Sequence, residues 1–372
     1  MKILFVNDQY ERGGAGCVAA ILANQLYQKG YDIILVHDFQ NWEPTYYIDD
    51  GIPKRGICTK AKGKGVFAKI ARWWNCIRMI RLYIKEEKPD IIIATQATMF
   101  LCCYISNLFL KVPIIAADHT SFTRRINPLI DFVRYNLYSK SNGLSILTEK
   151  DSKILGDKYP NKQVIYNPCS FPILERSTVR RKRILCVGRL EVWDVKGFDI
   201  IIKIWSEIAH KYPDWTLEIA GPGDATSILF LEKMISDYNL SSCLLLGQID
   251  NMKELYSTSE IFVLPSRVEG FPMVLMEALS QGCSCIAFEV GGATYEMLEE
   301  GAGVIVKDGD NDTFRDALVQ MIEHEEQRKI YSLKALQSVQ KFSVDRFVKA
   351  WEELLYKTYN KNIKSKRCSL LW

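Results

Sequence analysis

The hydrophobic pattern of the chain is a repeated alternation of a short all-apolar run, a polar turn that often carries glycine, and a longer amphipathic stretch. Runs of that kind suit strands buried on both faces of a parallel sheet, and the stretches between them suit helices laid over the sheet. Strands are predicted over residues 2–6, 32–37, 90–94, 113–117 and 143–147, with a shorter one at 164–166. Helices are predicted over 18–29, 68–84 and 99–110, and Thr148 with the acidic residues after it supplies an N-cap for another. Residues 171–183 are polar, basic and without period, and read as a linker. The alternation then restarts, with strands at 183–187, 216–220, 243–247, 261–264, 284–288 and 303–306. Helices follow at 200–211, up to Ser236, at 251–257, from about Phe271, at 312–326 and at 345–359. At 372 residues the chain exceeds one ordinary core. Two α/β domains are therefore expected, at 1–170 and 184–342, followed by a final helix and basic tail at 343–372.

The most informative stretch is Ile261 to Ala278, an apolar run, a turn and a helix start. Pro272 stands where a first helical residue would be, so the N–H groups of Phe271, Met273 and Val274 are expected to point beyond the strand's carboxyl end. A helix N-terminus placed there favours an anion. Glu269 and Glu277 flank it, and carboxylates accept hydrogen bonds from sugar or ribose hydroxyls. Arg189 and Lys196 lie in the loop after the strand at 183–187, where two cations could neutralise a diphosphate. His119 ends the strand at 113–117, the edge at which open α/β sheets place ligands. Gly14, Gly16 and Ala19 fit GxGxxA, with Asp38 further on. A dinucleotide fingerprint needs its first glycine at the strand end, and Asn7 to Arg12 intervene. Gly13 and Gly14 fit better as a close backbone approach to a phosphate or sugar.

Charge removes other classes. The net charge of +4 is too small and dispersed for a nucleic-acid binder. Eleven cysteines without a CxxC pair, several in apolar surroundings such as Cys17, Cys186, Cys243 and Cys285, fit a reducing cytoplasm. The opening apolar run is too short for a signal peptide, and no apolar run is long enough to span a bilayer. Residues 62–85 combine Lys62, Lys64, Lys69, Arg72, Arg78 and Arg81 with Trp73 and Trp74, a composition suited to an anionic membrane surface. The basic tail with its apolar tip reads as a second, weaker contact.

These motifs, in this order, resemble those of the retaining glycosyltransferases of family 4: Gly13-Gly14, LTEKD at 147–151, Asn167-Pro168, GRL with KG at 188–197, and EGFPMVLMEA at 269–278. The resemblance spans nearly the whole chain. It implies the GT-B architecture, two Rossmann-like parallel-sheet domains facing a central cleft, and a metal-independent, cofactor-free transferase using a nucleotide diphosphate sugar, UDP- before GDP-. The acceptor is expected to be a growing glycan, and the basic, aromatic helix of the first domain, which would hold the enzyme on an anionic membrane, points to a lipid-linked one of surface polysaccharide. By position, Glu269 would contact donor-sugar hydroxyls, with the backbone of Phe271, Pro272, Met273 and Val274 beside it, and Glu277 would hold the ribose. Arg189 and Lys196 would bind the diphosphate, His119 would touch the sugar near the reacting carbon, Gly14 would face the phosphates, and Gln248 and Ile249 would lie at the base. Two departures stand out: five residues, Glu191 to Val195, separate GRL from KG where three are commoner, and GGATYE at 291–296 is one residue longer than usual. A sugar-nucleotide epimerase of similar build and a non-catalytic nucleotide-sugar sensor are the competing readings.

Overall fold

A computed structural model of the chain describes residues 1–7, 13–37, 46–57, 65–123, 125–175 and 178–369, the side chains of residues 66, 69 and 364–369 excepted. Asp38, Lys62, Lys64, the Lys69 side chain, the loop between Asn7 and Gly13, and the apolar tip of the tail lie outside the described residues. Two compact units divide the chain, one of residues 1–168 with 344–372, the other of residues 169–343.

In the first unit seven strands form a parallel sheet: β1 (Lys2–Val6), β2 (Asp32–His37), β3 (Lys54–Gly56), β4 (Ile91–Thr95), β5 (Ile114–Ala117), β6 (Gly143–Ile146) and β7 (Lys162–Val164). Their order is β3-β2-β1-β4-β5-β6-β7. Leu4 pairs with Ile34 on one side and Ile92 on the other, so the all-apolar runs meet in the middle of the sheet, buried on both faces. The sequence does not announce β3, a three-residue polar edge strand whose residues are mostly exposed. Short charged edges of this kind resist pairing with another chain.

Helices occupy the crossovers. Gly14–Gln28 begins earlier than its apolar period implies, because Gly13, at φ 142°, turns the chain straight into the first turn. Gly14 is therefore a helical residue and not part of the preceding loop. Val66–Glu87 buries Cys76, Ile80, Tyr83 and Ile84 against the sheet. The last helix, Val344–Ser369, packs on this unit too: a Cβ added at Gly143 would stand 3.0 Å from both Leu354 Cδ1 and Thr358 Oγ1. Glycine opens β6 because a helix crosses it there.

The second unit has six parallel strands, β8 (Arg181–Val187), β9 (Thr216–Ala220), β10 (Cys243–Gly247), β11 (Ser259–Leu264), β12 (Ser284–Phe288) and β13 (Gly303–Val306). They run β10-β9-β8-β11-β12-β13, so the winding direction reverses between β8 and β11. Ile184 pairs with Leu217 and with Ile261, seating β8 between the two halves. Ligands of open α/β sheets bind at the carboxyl ends of strands beside such a reversal. Strand β8 starts two residues before the end of the expected linker. The residues before it are tied down by Cys169 N–H to Phe342 O (2.8 Å), Leu174 N–H to Ser280 O (2.8 Å) and Thr178 Oγ1 to Ser257 O (2.6 Å). A single helix expected over 312–326 is two, Asn311–Glu323 and Glu325–Ser338, broken at His324. No described helix is long and apolar enough to cross a membrane.

Candidate functional site

Two loops meet at the reversal point of the second sheet. After β8 the chain passes Gly188 and Arg189, then makes a 3-10 turn, Leu190–Val192, and one α-turn, Trp193–Lys196. The five residues that separate GRL from KG are thus absorbed as helical turns, which shorten the path. Gly197 closes them at φ 70°, where an added Cβ would stand 2.0 Å from Pro265 O, so only glycine fits against the loop leaving β11. The outcome is that Lys196 Nζ lies 2.7 Å from Glu269 Oε1, with both side chains mostly buried. Arg189 is exposed at the mouth of the same loop.

Arg267 joins the two loops. Its N–H donates to Val195 O at 2.9 Å, its guanidinium reaches Asp194 O, and the same guanidinium grips both oxygens of Asp199 at 2.8 and 2.6 Å. The forked geometry fixes the guanidinium plane as well as its position. The sequence reading does not single out Arg267, although an arginine two residues before a site glutamate is a signal that could have found it.

The helix after this loop begins at Met273, not Phe271, and Pro272 is its N-cap rather than its first residue, with φ −73° and ψ 91°. Leu275 and Met276 N–H already bond Pro272 O, at 3.1 and 3.3 Å, so Met273 and Val274 carry the N–H groups that precede the intrahelical bonds. Phe271 is buried, edge-on to Phe342 with ring centroids 5.7 Å apart, which anchors the loop. Glu277, one turn in, accepts from Ser170 Oγ at 2.6 Å on one oxygen and Tyr256 OH at 3.1 Å on the other. Desolvation raises its carboxyl above the ordinary range, and those two donors pull it part of the way back. Tyr256 comes from a segment that carries no motif, and Ser170 lies just past Asn167-Pro168 without belonging to it, which is why spacing alone does not find them.

Further along the same sheet edge, Gly247 ends β10 at φ 66°, followed by exposed Gln248 and half-buried Ile249. Beside them β9 is followed by Gly221, whose φ of 150° lets it approach within contact of Gly188, and Asp224 caps the next helix by accepting from Ser227 N–H at 2.7 Å. Arg189, Lys196, Glu269, Glu277 and Gln248 therefore share one edge of one sheet. Gly14 and His119 stand on the corresponding edge of the first sheet, in the connections that follow β1 and β5.

His119 is held by a buried network. Asp118 accepts from Arg134 Nε at 2.8 Å, and Arg134 Nη2 donates onward to Thr120 O and Ser121 O, at 2.7 and 3.0 Å. Asp151 takes Ser121 Oγ, Phe122 N–H and Thr148 Oγ1 at 2.9, 2.7 and 2.8 Å. Arg134 lies in a π-helical turn, Val133–Leu137, and is fully buried. Burial lowers the His119 pKa below its ordinary 6.5, against the opposing charge of Asp118 and a hydrogen bond with Asn167. The shift favours the neutral imidazole, which presents one N–H donor and one acceptor nitrogen. Cys186, Cys243 and Cys285 are core residues, while Cys17 is only half-buried.

With this geometry in place, residues 12–170 match the family described as Glycosyltransferase Family 4, and residues 181–324 match Glycosyl transferases group 1. The chain thus carries a family 4 glycosyltransferase domain in its first half and a group 1 glycosyl transferase domain in its second. It is 27% identical to the amylovoran biosynthesis glycosyltransferase AmsD of Erwinia amylovora over 95% of this chain and 99% of that one. It is 24% identical, over 97% and 99%, to a Campylobacter jejuni N-acetylgalactosaminyltransferase acting on an undecaprenol diphosphate glycan. Anabaena HepE, solved with UDP and glucose, shares the fold at a TM-score of 0.76 and 18% identity, over 96% of this chain and 99% of that one. This glycosyltransferase thus has the GT-B architecture, two parallel-sheet Rossmann-like units, and is of the kind that builds bacterial polysaccharides.

Proposed function

We propose that this glycosyltransferase moves a sugar from a UDP-sugar to a growing, lipid-linked glycan during bacterial surface-polysaccharide synthesis, with retention at the transferred carbon and without a metal or other cofactor. The observation that carries the donor assignment is the Lys196–Glu269 pair, fixed at 2.7 Å beside the helix N-terminus at Met273. A diphosphate arriving at Arg189 and Lys196 meets two cations and two N–H groups, which together stabilise the charge that develops on the leaving group. Glu269, released in part from Lys196, accepts from sugar hydroxyls. Glu277, already oriented by Ser170 and Tyr256, accepts from ribose hydroxyls. Attack comes from the face the nucleotide leaves, and the departing phosphate takes the acceptor's proton, so no carboxylate has to become a nucleophile. UDP is favoured because the fold is shared with HepE, which was solved with UDP. A lipid-linked acceptor is favoured because the Campylobacter relative acts on one. Work at the cytoplasmic face of the membrane, through the basic helix Val66–Glu87, follows from that acceptor.

The test is thermal unfolding across UDP-, GDP- and other nucleotide sugars. A donor at about a hundred times its dissociation constant adds about 2.7 kcal/mol, and UDP-sugars are expected to give the larger shift. Arg189→Ala should bind the donor but turn over roughly 10²–10³-fold more slowly, the scale of losing one preorganised charge donor. An unchanged rate removes Arg189 from the mechanism, and a shift with GDP-sugars alone reassigns the base.

A further inference from the structure

The sequence points to residues 62–85 as a membrane contact; the structure supplies a second element that no motif or period announces. On a 3.6-residue helix Phe67, Ile70, Ala71, Trp74, Arg78, Leu82 and Lys85 fall within about 120° of one another, along about 27 Å of axis. All seven are exposed, with Phe67 at 89%, Trp74 at 70% and Ile70 at 59%. The opposite side of the helix, with Cys76, Ile80, Tyr83 and Ile84, is the one that packs on the sheet. A helix that docks with one apolar face normally turns a polar face to water. This one turns a mostly apolar face outward, and no acidic residue occurs from Gly51 to Lys85.

Arg81 lies in the same stripe and donates to Ser106 O at 2.8 Å and Leu108 O at 2.9 Å. That brings the loop 107–112 alongside the stripe. The loop is built rather than slack: Asn107 Nδ2 donates to Val112 O at 2.6 Å, Val112 N–H donates to Asn107 Oδ1 at 3.1 Å, and Leu110 N–H donates to Asn107 O at 2.9 Å. At its tip Phe109 is 91% exposed and Leu108 46% exposed. Phe109 and Lys111 sit at φ 71° and 57°, a left-handed conformation disfavoured for side chains of this size. A clamped turn that holds a phenylalanine out in water, in an unfavourable backbone conformation, gains nothing from the fold itself. At the foot of the loop Lys85, Lys88, Leu110 and Val112 line part of a cavity of about 480 Å³ together with Asp90, whose carboxylate accepts from the Lys2 N–H, so two lysines and one carboxylate stand beside the apolar tip.

We propose that the loop 107–112 is a second insertion point on the membrane, with Leu108 and Phe109 entering the acyl boundary of an anionic bilayer while Lys85, Lys88, Lys111 and Arg78 meet its phosphates. Two separated points of insertion fix the rotation of the first unit on the surface, which a single helix lying flat leaves free. The proposal rests on the membrane-side reading above and adds to it a site of contact outside residues 62–85.

The experiment is flotation of the full chain on phosphatidylcholine vesicles with and without phosphatidylglycerol, for the parent, Phe109→Ser and Trp74→Ser. A Phe109→Trp variant is added, read by quenching with brominated phosphatidylcholine. Removing one inserted phenyl ring is expected to lower the partition coefficient about tenfold or more. The indole introduced by Phe109→Trp should be quenched beyond the level of the parent, and unfolding temperature and UDP affinity should stay at parental values. If Trp74→Ser weakens flotation while Phe109→Ser has no effect and Phe109→Trp shows no added quenching, the loop is not an insertion point and the helix reading stands alone. Unchanged flotation in every variant sinks both. Loss of self-association in Phe109→Ser, with vesicle binding intact, would show that the tip meets a second copy of the chain and overturn the proposal.

Discussion

At the scale of single residues, the Lys196–Glu269 pair is where stability and chemistry can be separated. Each partner is mostly buried, so losing one leaves the other's charge poorly solvated. Lys196→Met and Glu269→Met are each expected to lower stability by about 1–3 kcal/mol. The double variant should fall short of the sum by about 1–2 kcal/mol, read from urea midpoints at constant slope. Additive losses would mean that the 2.7 Å contact carries no coupling. His119 gives a pH signature. Its folded pKa is depressed, so its contribution is fully present above about pH 6.5 and is lost as pH falls through the folded value, because the unfolded chain takes up the proton first. Between about pH 7.5 and pH 5.5 the parent should therefore lose melting temperature relative to His119→Gln. A parallel course for the two proteins would remove burial of the imidazole as the cause.

Single elements show most clearly what the sequence can and cannot convey. Central strands are legible because a run such as that in β4 or β12 is mostly apolar from end to end, which only a doubly covered strand requires. The polar edge strand β3 and the segment from Pro128 to Lys140, with its π-turn, have no period to read. Glycine misleads at Gly14, where conformational freedom suggests a loop and the structure shows the entry to a helix. The spacing between GRL and KG looks like a reason to doubt Lys196, yet the extra residues coil into turns and deliver the ammonium to Glu269. Arg267 acts at this scale, since it ties the loop after β8 to the loop after β11. Its pair with Asp199 is too exposed to contribute more than about 1 kcal/mol, so Arg267→Ala is expected to leave the urea midpoint nearly unmoved. Donor KM should nevertheless rise several-fold through displacement of Lys196, and Arg267→Lys, lacking the fork, should undo only part of that rise. An unchanged KM would make the clamp ornamental.

For the whole molecule, the informative fact is that the first unit is assembled from two stretches of chain that are distant in sequence. Trp351, Leu354 and Leu355 of the last helix are almost fully buried, and Gly143 is reserved for its passage. Trp351→Ala is expected to cost about 3–5 kcal/mol, a large part of the margin of an ordinary domain, and Gly143→Val should act in the same direction by obstruction. If either variant melts with the parent, that packing is not what holds the unit. The apolar period of the chain's end indicates a closing helix, but nothing in it indicates which strand needs a glycine to admit that helix.

That discontinuity also orders events on the ribosome. Every part of the second unit has been synthesised before residue 344 emerges, whereas the first sheet must wait for its last helix while 169–343 is translated, roughly 10–35 s at ordinary elongation rates. The half of the protein that begins first is completed last, and through that interval the nascent chain presents the bare surface around Gly143 to whatever chaperones are at hand.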